Sequence, residues 1–326
     1  MDESEGFAKR KIEEEGLLSS DALKCFEDEV RTKVFFETIL NNIEPGEEVL
    51  EAGTGTGIMA IAAAVAGAKK ITAIEINKKT VEFAERVTDR CAKEGMIKKG
   101  QIEIIEGNAL ELSPKPENKN KFDAFISENI YTGQFHELQM QINNHLNRFI
   151  NTEKGKIIPR ALINGIEVSS LSGKLSSQIG NKSEFTRKDF EKKEEDSTVN
   201  TMGQAKFYDI IDFSEQAELG VRNRFVETIA EDGEIDSVTI FSLVQMSGKK
   251  GDFIGRNETN FLNDDMVIMI EPPPLKVKKN NKIEISITYK AADKPEQATI
   301  TVTNLDSENQ ESRRNVRQKK NNITKK

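Results

Sequence analysis

The sequence contains no tryptophan, two cysteines and two histidines among its 326 residues. Cys25 and Cys91 lie far apart and lack the spacing of a metal site, so we expect two reduced thiols. His136 and His145 cannot complete a Cys/His metal set with them, and no metal site is predicted. A Ser-His-Asp site would have to use one of these two histidines.

Long apolar runs and an excess of basic residues are also missing. No apolar segment reaches the roughly 20 residues that a membrane-spanning helix needs. The N-terminus is acidic and lacks the basic-then-apolar layout of a signal peptide. The net charge of −8 argues against a general nucleic-acid binder, which would carry a basic face. We therefore expect a cytoplasmic protein that acts at no membrane and is not specialised for nucleic acid.

The first half of the chain alternates strand and helix patterns. Strands are predicted over residues 48–52, 70–75, 101–105 and 121–127, and helices over 58–66, 78–94 and 134–149. Strands that alternate with helices form parallel crossovers. This half is therefore predicted to be an α/β, doubly wound, Rossmann-like domain.

After Pro159 the pattern changes to strands separated by turn-rich segments. Strands are predicted over residues 161–171, 205–213, 238–246, 266–270, 282–289 and 298–303. This pattern indicates an all-β half, either a barrel-like domain or a sandwich. The predicted organisation is an N-terminal helical segment (1–24), a Rossmann-like domain (25–158), a β-barrel-like domain (159–306) with an exposed, charged, partly helical insertion (173–203), and a disordered basic tail (307–326).

A glycine-rich segment, Glu51-Ala-Gly-Thr-Gly-Thr-Gly57, joins the first predicted strand to the first helix. A strand, glycines and a helix N-terminus can cradle a phosphate or carboxylate, although a tight turn without a ligand would use the same residues. Glu75 ends the second strand, where a carboxylate can accept both ribose hydroxyls of an adenosine. The loop lacks the Gly-x-Gly-x-x-Gly pattern of dinucleotide folds, and Glu51 suits an ammonium group. The ligand that fits these features is S-adenosylmethionine.

A further polar residue follows the third predicted strand. Asn108 can hydrogen-bond the edge of an adenine there, although a turn would also select asparagine. Taken together, these segments resemble the cofactor motifs of class I S-adenosylmethionine-dependent methyltransferases over about residues 25 to 150. The resemblance implies a cofactor site formed by Glu51, Gly53, Thr54, Gly55, Gly57, Glu75 and Asn108.

A narrower resemblance is to the protein arginine methyltransferases. The segment Glu27-Asp-Glu-Val-Arg-Thr32 resembles one that lies over the cofactor in that family, which implies that Arg31 meets the methionine carboxylate; the alternative is a solvated helix residue. Glu128 and Glu137 match the type and nine-residue spacing of the two glutamates of the family's loop. An α/β domain followed by an all-β half is also the family's layout.

This resemblance implies N-methylation of an arginine guanidinium in a protein or peptide substrate. Two carboxylates, Glu128 and Glu137, would grip the guanidinium from different edges and orient its attacking nitrogen. The alternative for this pair is a strand end and a solvated helix face. His136 beside Glu137 is a weaker candidate for a proton acceptor, and His145 is expected to be structural.

Several segments depart from the family pattern. Asn129-Ile-Tyr-Thr-Gly133 stands where the family has Trp-Met-Gly, and Phe261-Leu-Asn263 where it has Thr-His-Trp. The charged insertion 173–203 would make a poor apolar dimer contact, so the oligomeric state stays open. Two alternatives also stay open: a class I methyltransferase with another acceptor (a small metabolite, another protein side chain, or RNA reached through the basic tail), and a non-catalytic cofactor-binding module.

Overall fold

The computed structural model describes residues 20–112, 121–151, 153–172, 184–188, 191, 198–259, 263–271, 274–307 and 313–315. In chain order, the first half consists of α1 (Ser20–Glu27), α2 (Glu29–Asn42), β1 (Glu48–Ala52), α3 (Ile58–Ala66), β2 (Lys70–Glu75), α4 (Lys78–Lys93), β3 (Ile102–Glu106), β4 (Ala124–Ser127), α5 (Gln139–Leu146) and β5 (Lys156–Ile158). Short 3-10 turns at residues 109–111, 132–134 and 147–149 separate some of these elements.

The five strands of the first half form one parallel sheet in the order β3-β2-β1-β4-β5. Strand β1 lies between β2 and β4, so the chain moves outward in one direction and then in the other. Such a reversal opens a crevice at the carboxyl ends of the strands. Helix α3, an alanine-rich and largely buried helix, packs beside this point. The predicted Rossmann-like architecture is confirmed.

The helix predicted over residues 134–149 begins later than expected, at Gln139. The reason is the backbone before it. Gly133, Gln134 and His136 have φ values of 66°, 62° and 63°, in the left-handed region, which an α-helix excludes. The residues between β4 and α5 therefore form an irregular loop with a single 3-10 turn.

The second half is built of strands. In chain order these are β6 (Ala161–Ser172), β7 (Glu184–Thr186), β8 (Thr198–Thr201), β9 (Lys206–Asp212), β10 (Gly220–Thr228), β11 (Gly233–Ile235), β12 (Ser237–Gln245), β13 (Phe253–Ile254), β14 (Met266–Met269), β15 (Leu275–Val277), β16 (Lys282–Lys290), β17 (Thr299–Asn304) and β18 (Arg313–Asn315).

Antiparallel pairing organises these strands into three sheets. Seven strands form the largest, in the order β7-β14-β12-β6-β8 with β9 beside β6 and β13 beside β12. Four strands form a second sheet, β10-β16-β17-β18, and β11 pairs with β15. Apolar side chains from the two larger sheets meet in one buried cluster. The all-β character predicted for this half is confirmed.

The two halves of the chain pack against each other and share buried apolar side chains. Leu162, Ile211 and Val244 of the second half belong to the core that also lies around the parallel sheet. In the opposite direction, Phe135 from the loop before α5 is fully buried in the core of the second half. The loop between β4 and α5 is thus held by both halves.

Two segments that were expected to lie outside the sheets contribute strands. Within the insertion 173–203, β7 pairs with β14 and β8 pairs with β6. Within the tail 307–326, predicted to be disordered, β18 pairs with β17, and the prediction is wrong for these three residues. Backbone pairing at a sheet edge needs no apolar side chain, so composition alone could not reveal it. Residues 1–19 and 316–326, and most of 173–197, lie outside the described residues.

Candidate active site

A cavity of about 420 Å³ opens at the carboxyl edge of the parallel sheet, beside β1 and β2. This volume lies within the range of small-molecule sites. Helix α1 contributes Ala22, Cys25 and Phe26 to its wall, so the helix covers one side. Of the residues predicted to form the site, those lining the cavity are Arg31, Gly53, Thr54, Gly55, Glu75, Asn108, Glu128 and Glu137.

The glycine loop follows β1 and turns directly into α3. Gly53, Gly55 and Gly57 have φ values of 77°, 55° and 85°, which side chains with a Cβ adopt only with strain. Gly57 is the N-cap residue of α3. The loop therefore presents bare backbone to the cavity at the point where a ligand would approach the sheet.

Glu75 ties this loop to the end of β2. One carboxylate oxygen, Oε2, accepts a hydrogen bond from the Gly55 amide at 3.0 Å, and Oε1 accepts one from the Asn77 amide at 2.9 Å. The residue is 9% exposed and lines the cavity. Each oxygen keeps a lone pair for a further donor. This geometry fits two ribose hydroxyls.

Glu51 lies beneath the loop, outside the wall of the cavity. It is 1% exposed, its Oε2 accepts a hydrogen bond from the Thr54 hydroxyl at 2.7 Å, and its Oε1 has no partner among the described residues. Burial raises the pKa of Glu51 to about 7; the Thr54 hydroxyl offsets part of the rise, and Glu75 adds to it. From this position Glu51 stabilises the glycine loop, and its side chain does not line the cavity.

Asn108 lines the cavity with its side chain engaged in its own turn. Its Oδ1 accepts a hydrogen bond from the Leu110 amide at 3.0 Å, and its Nδ2 donates to Glu111 at 3.2 Å. One N–H of the amide group remains for a further acceptor. The adenine contact stays a prediction, and it would use that remaining hydrogen.

Arg31 and Glu128 form a buried ion pair on the cavity wall. Arg31 is 6% exposed, so it is no solvated helix residue. Its Nη1 donates to the Cys25 carbonyl at 3.0 Å, and its buried Nε has no hydrogen-bond partner among the described residues. Burial lowers the pKa of Arg31, which Cys25 and Asp28 partly offset; a guanidinium nevertheless stays cationic in a protein.

Glu128 and Glu137 stand at the two ends of the loop between β4 and α5, and both line the cavity. The Glu128 side chain is 6% exposed, whereas Glu137 is an exposed residue. The structure therefore brings together the two glutamates that the sequence singles out, one at the inner end of the cavity wall and one at its exposed side.

The second half of the chain holds the middle of this loop. The Thr132 hydroxyl donates to the Asp264 carbonyl at 2.7 Å, and the Gly133 amide donates to the Ser242 hydroxyl at 2.9 Å. The ring of Phe135 stacks on Tyr289 with a centroid separation of 4.6 Å. Sequence reasoning missed these anchors because they come from distant strands and no local motif marks them.

Neither of the two histidines lines the cavity. The exposed His136 stands edge-on to Tyr131 with a ring separation of 5.1 Å, and burial of part of its ring lowers its pKa. The Nε2 atom of His145 lies 2.9 Å from the Leu112 carbonyl. The described residues contain no cluster of His, Cys, Asp and Glu that fits a metal ion. Over the same ranges no helix has the length and apolar character needed to cross a bilayer.

Comparison with known sequences supports this geometry. Residues 30–161 match the family model of ribosomal protein L11 methyltransferase (PrmA). An uncharacterized protein of Methanocaldococcus jannaschii is 33% identical over 144 residues, which cover 43% of this chain and 51% of that protein. A probable protein arginine N-methyltransferase 3 of Oryza sativa subsp. indica is 34% identical over 112 residues, covering 31% of this chain and 18% of that protein. The chain thus spans about half the length of the first relative and about a fifth of the second.

Solved structures match the chain over both halves. Protein arginine methyltransferase 10 of Arabidopsis thaliana superposes with a TM-score of 0.67 at 16% identity, covering 90% of this chain and 95% of that chain. The enzyme–prozyme heterotetrameric complex of Trypanosoma brucei PRMT1 with AdoHcy gives a TM-score of 0.65 at 14% identity, covering 86% and 92%. At these low identities, the two structural matches establish that the fold is shared.

Over residues 30–161, the family match, the parallel sheet and the cavity at its carboxyl edge support a domain of the class I methyltransferase type, the type whose cofactor is S-adenosylmethionine. The chain as a whole has the two-part fold of the protein arginine methyltransferases. The class, fold and cofactor predicted from the sequence are confirmed. The glycine loop and Glu75 fit that cofactor, because they offer close backbone approach and a paired acceptor for a ribose.

Proposed function

We propose that this protein transfers a methyl group from S-adenosylmethionine to a guanidinium nitrogen of an arginine in a protein or peptide. The observation that carries the proposal is the placement of Glu128 and Glu137. They lie at the two ends of one anchored loop and line the same cavity as the glycine loop, Glu75 and Arg31.

On the cofactor side, three features of the chain would bind and orient S-adenosylmethionine. Glu75 would accept the ribose hydroxyls, the glycine loop would allow close approach, and Arg31 would offer its unpartnered Nε and its positive charge to the methionine carboxylate. When bound, S-adenosylmethionine supplies an electrophilic methyl group on a sulfonium. The glycine loop and helix α1, with Phe26 at the cavity wall, would cover part of that group and limit its contact with water.

On the acceptor side, Glu128 and Glu137 grip the guanidinium and aim one nitrogen along the line of attack. In the transfer, the N–C bond would form as the S–C bond breaks, and the bonding electron pair would stay on sulfur. The methylated nitrogen then releases one proton to water at the exposed side of the cavity, where Glu137 lies. Because the product is itself a cation, no strong base is required, and His136 is not among the residues that line the cavity.

The charges of the cavity suit this pair of ligands. Its charged lining consists of the three carboxylates Glu75, Glu128 and Glu137 and the one guanidinium of Arg31, a surplus of two negative charges. The cofactor carries one net positive charge and an arginine side chain carries another. Both ligands together therefore neutralise the site.

A second candidate is methylation of an amine nitrogen of a protein. Two observations favour it. The family model that matches residues 30–161 is that of a ribosomal protein L11 methyltransferase. In addition, Arg31 forms an ion pair with Glu128 and so balances the charge of that carboxylate. In this reading the acceptor would be an ammonium or amine that needs fewer carboxylates than a guanidinium.

The test is incubation of the protein with methyl-labelled cofactor and a cell lysate, followed by mass spectrometry of the labelled residue. Label on arginine supports the proposal, label on lysine or an α-amino group supports the second candidate, and label on RNA or a metabolite contradicts both. Glu128→Gln and Glu137→Gln should each keep cofactor binding and lose about 10- to 150-fold in rate, because each carboxylate contributes about 1.5–3 kcal/mol. Glu82→Gln, at an exposed position of α4, is the matched control. Unchanged rates in both site variants would refute the assigned roles.

A further inference from the structure

The residue after Glu128 has its side chain fixed in one orientation. Asn129 lines the cavity, and its Nδ2 donates to the Ala52 carbonyl at 3.2 Å and to the Ser127 hydroxyl at 3.1 Å. A carbonyl oxygen can only accept, so the NH₂ end must be the end that faces Ala52. Both hydrogens of the amide are used, and the orientation of the side chain is thereby determined.

The other end of the amide, Oδ1, lies over the first glycine of the loop. A Cβ atom built on Gly53 would stand 2.7 Å from the Asn129 Oδ1, which is closer than such a contact allows. In the described part of the chain no donor reaches this oxygen, and it is not among the buried polar atoms. Oδ1 is therefore an uncharged acceptor open to the cavity, between the glycine loop and Glu128.

We propose that Asn129 Oδ1 accepts a hydrogen bond from the attacking nitrogen of the substrate and selects nitrogens that carry two N–H groups. This inference rests on the proposed function and adds a specificity residue to it. A carboxylate such as Glu128 takes one N–H of the attacking nitrogen, and Oδ1 takes the other. With both hydrogens held in the guanidinium plane, the face of that nitrogen is directed at the methyl group.

The arrangement distinguishes a terminal nitrogen that carries two N–H groups from one that is already methylated. A monomethylated nitrogen has one N–H left, so it can satisfy the carboxylate or Oδ1 but not both, and its methyl group would lie against a polar atom. The expected products are therefore monomethylarginine and, through its other terminal nitrogen, symmetric dimethylarginine, with little asymmetric dimethylarginine. The position is one at which the resembling family has tryptophan, which offers no acceptor oxygen.

The experiment compares wild type, Asn129→Ala and Asn129→Ser on an arginine peptide and on the same peptide carrying monomethylarginine. Cofactor affinity is measured by calorimetry and kcat and KM by methyl-label incorporation. Serine keeps a polar hydroxyl group at this position but cannot extend an oxygen over Gly53, so it covers the case in which the alanine variant does not fold. Ser127→Ala, which removes one acceptor of the amide and leaves Oδ1 in place, is the matched control.

We expect both Asn129 variants to bind the cofactor within about threefold of wild type and to lose about tenfold or more in kcat on the unmodified peptide. On the monomethylated peptide, the share of asymmetric dimethylarginine in the product, measured after hydrolysis, should rise at least fivefold in both variants, and Ser127→Ala should leave this share unchanged. An unchanged share, or a loss of cofactor binding with an unchanged share, would overturn the inference alone. A wild type that methylates neither peptide would instead overturn the proposed function.

Discussion

Glu227, in β10, is a buried carboxyl group outside the active site. It is 2% exposed, and neither of its oxygens has a hydrogen-bond partner of good geometry among the described residues. Burial raises the pKa of Glu227 to about 8; nearby backbone amides of Val168 and Gln204 and the charge of Lys206 offset part of the rise, and Glu167 adds to it. At neutral pH most folded molecules therefore carry Glu227 protonated.

This pKa makes stability depend on pH in a definite direction. In the unfolded chain the Glu227 carboxyl loses its proton near its ordinary pKa of 4.5, whereas the folded chain keeps it up to about pH 8. Between these values the folded state binds the extra proton, so the free energy of unfolding falls as pH rises, by about 1.4 kcal/mol per pH unit. The stabilisation is complete below pH 4.5 and is lost as pH passes through 8. From pH 5 to pH 8 the loss amounts to roughly 3 kcal/mol.

Replacing the carboxyl by an amide removes this dependence. Glu227→Gln cannot ionise, so its Tm relative to that of wild type should rise by about 5 °C between pH 5 and pH 8. Differential scanning calorimetry at several pH values measures the difference, in which all other titrating groups cancel. Glu234→Gln, on the exposed side of β11, should show no such trend. A pH-independent difference for Glu227→Gln would mean that the buried carboxyl is ionised in the folded protein, and the reasoning would be refuted.

Two further predictions concern the anchored loop. Gly133→Ala should destabilise the fold by about 2–3 kcal/mol in denaturant melts, because its φ is 66° and a Cβ would stand 2.8 Å from the Phe135 ring. The control is Gly220→Ala, which has nothing within 4 Å of its Cβ and should change stability by less than about 0.5 kcal/mol. Equal losses of stability in the two variants would contradict the argument. Ser242→Ala removes the acceptor of the Gly133 amide and should lower kcat/KM for the acceptor about tenfold without changing cofactor affinity. The exposed Ser214→Ala is its control, and a Ser242→Ala variant with unchanged kinetics would show that this hydrogen bond does not position the loop.

The sequence predicts most elements of the parallel sheet because their signals are local. An apolar run followed by Gly53 to Gly57 and an alanine-rich run defines β1, the loop and α3 within about 20 residues. Glu75 follows from its place at the end of the next strand. The same locality explains why Glu128 and Glu137 could be singled out, since their spacing lies within one loop.

Strand β10 is an element that the sequence pattern does not predict. Its sequence, with Arg222, Arg224 and Glu227 among few apolar residues, carries no strong alternation, yet all nine of its residues pair with β16. The partner strand supplies the stabilisation, and strand propensity depends on that context. A single sequence contains no signal for it.

The anchors of the active-site loop could not be predicted for a related reason. Asp264 lies 132 residues from Thr132 and Ser242 lies 109 residues from Gly133 in sequence. The orientation of Asn129 likewise depends on a carbonyl group of β1 that is 77 residues away. Only the packed structure brings these groups together.

The most direct test of the account is calorimetric titration of the protein with S-adenosylmethionine. Wild type should bind with a Kd of about a micromolar. Glu75→Ala should weaken binding at least about tenfold, because it removes the paired acceptor and releases the Gly55 amide, while Glu103→Ala, at an exposed position of the neighbouring strand, should bind like wild type. Absence of heat with wild type, or equal affinities for the two variants, would contradict the claim that this cavity is a cofactor site.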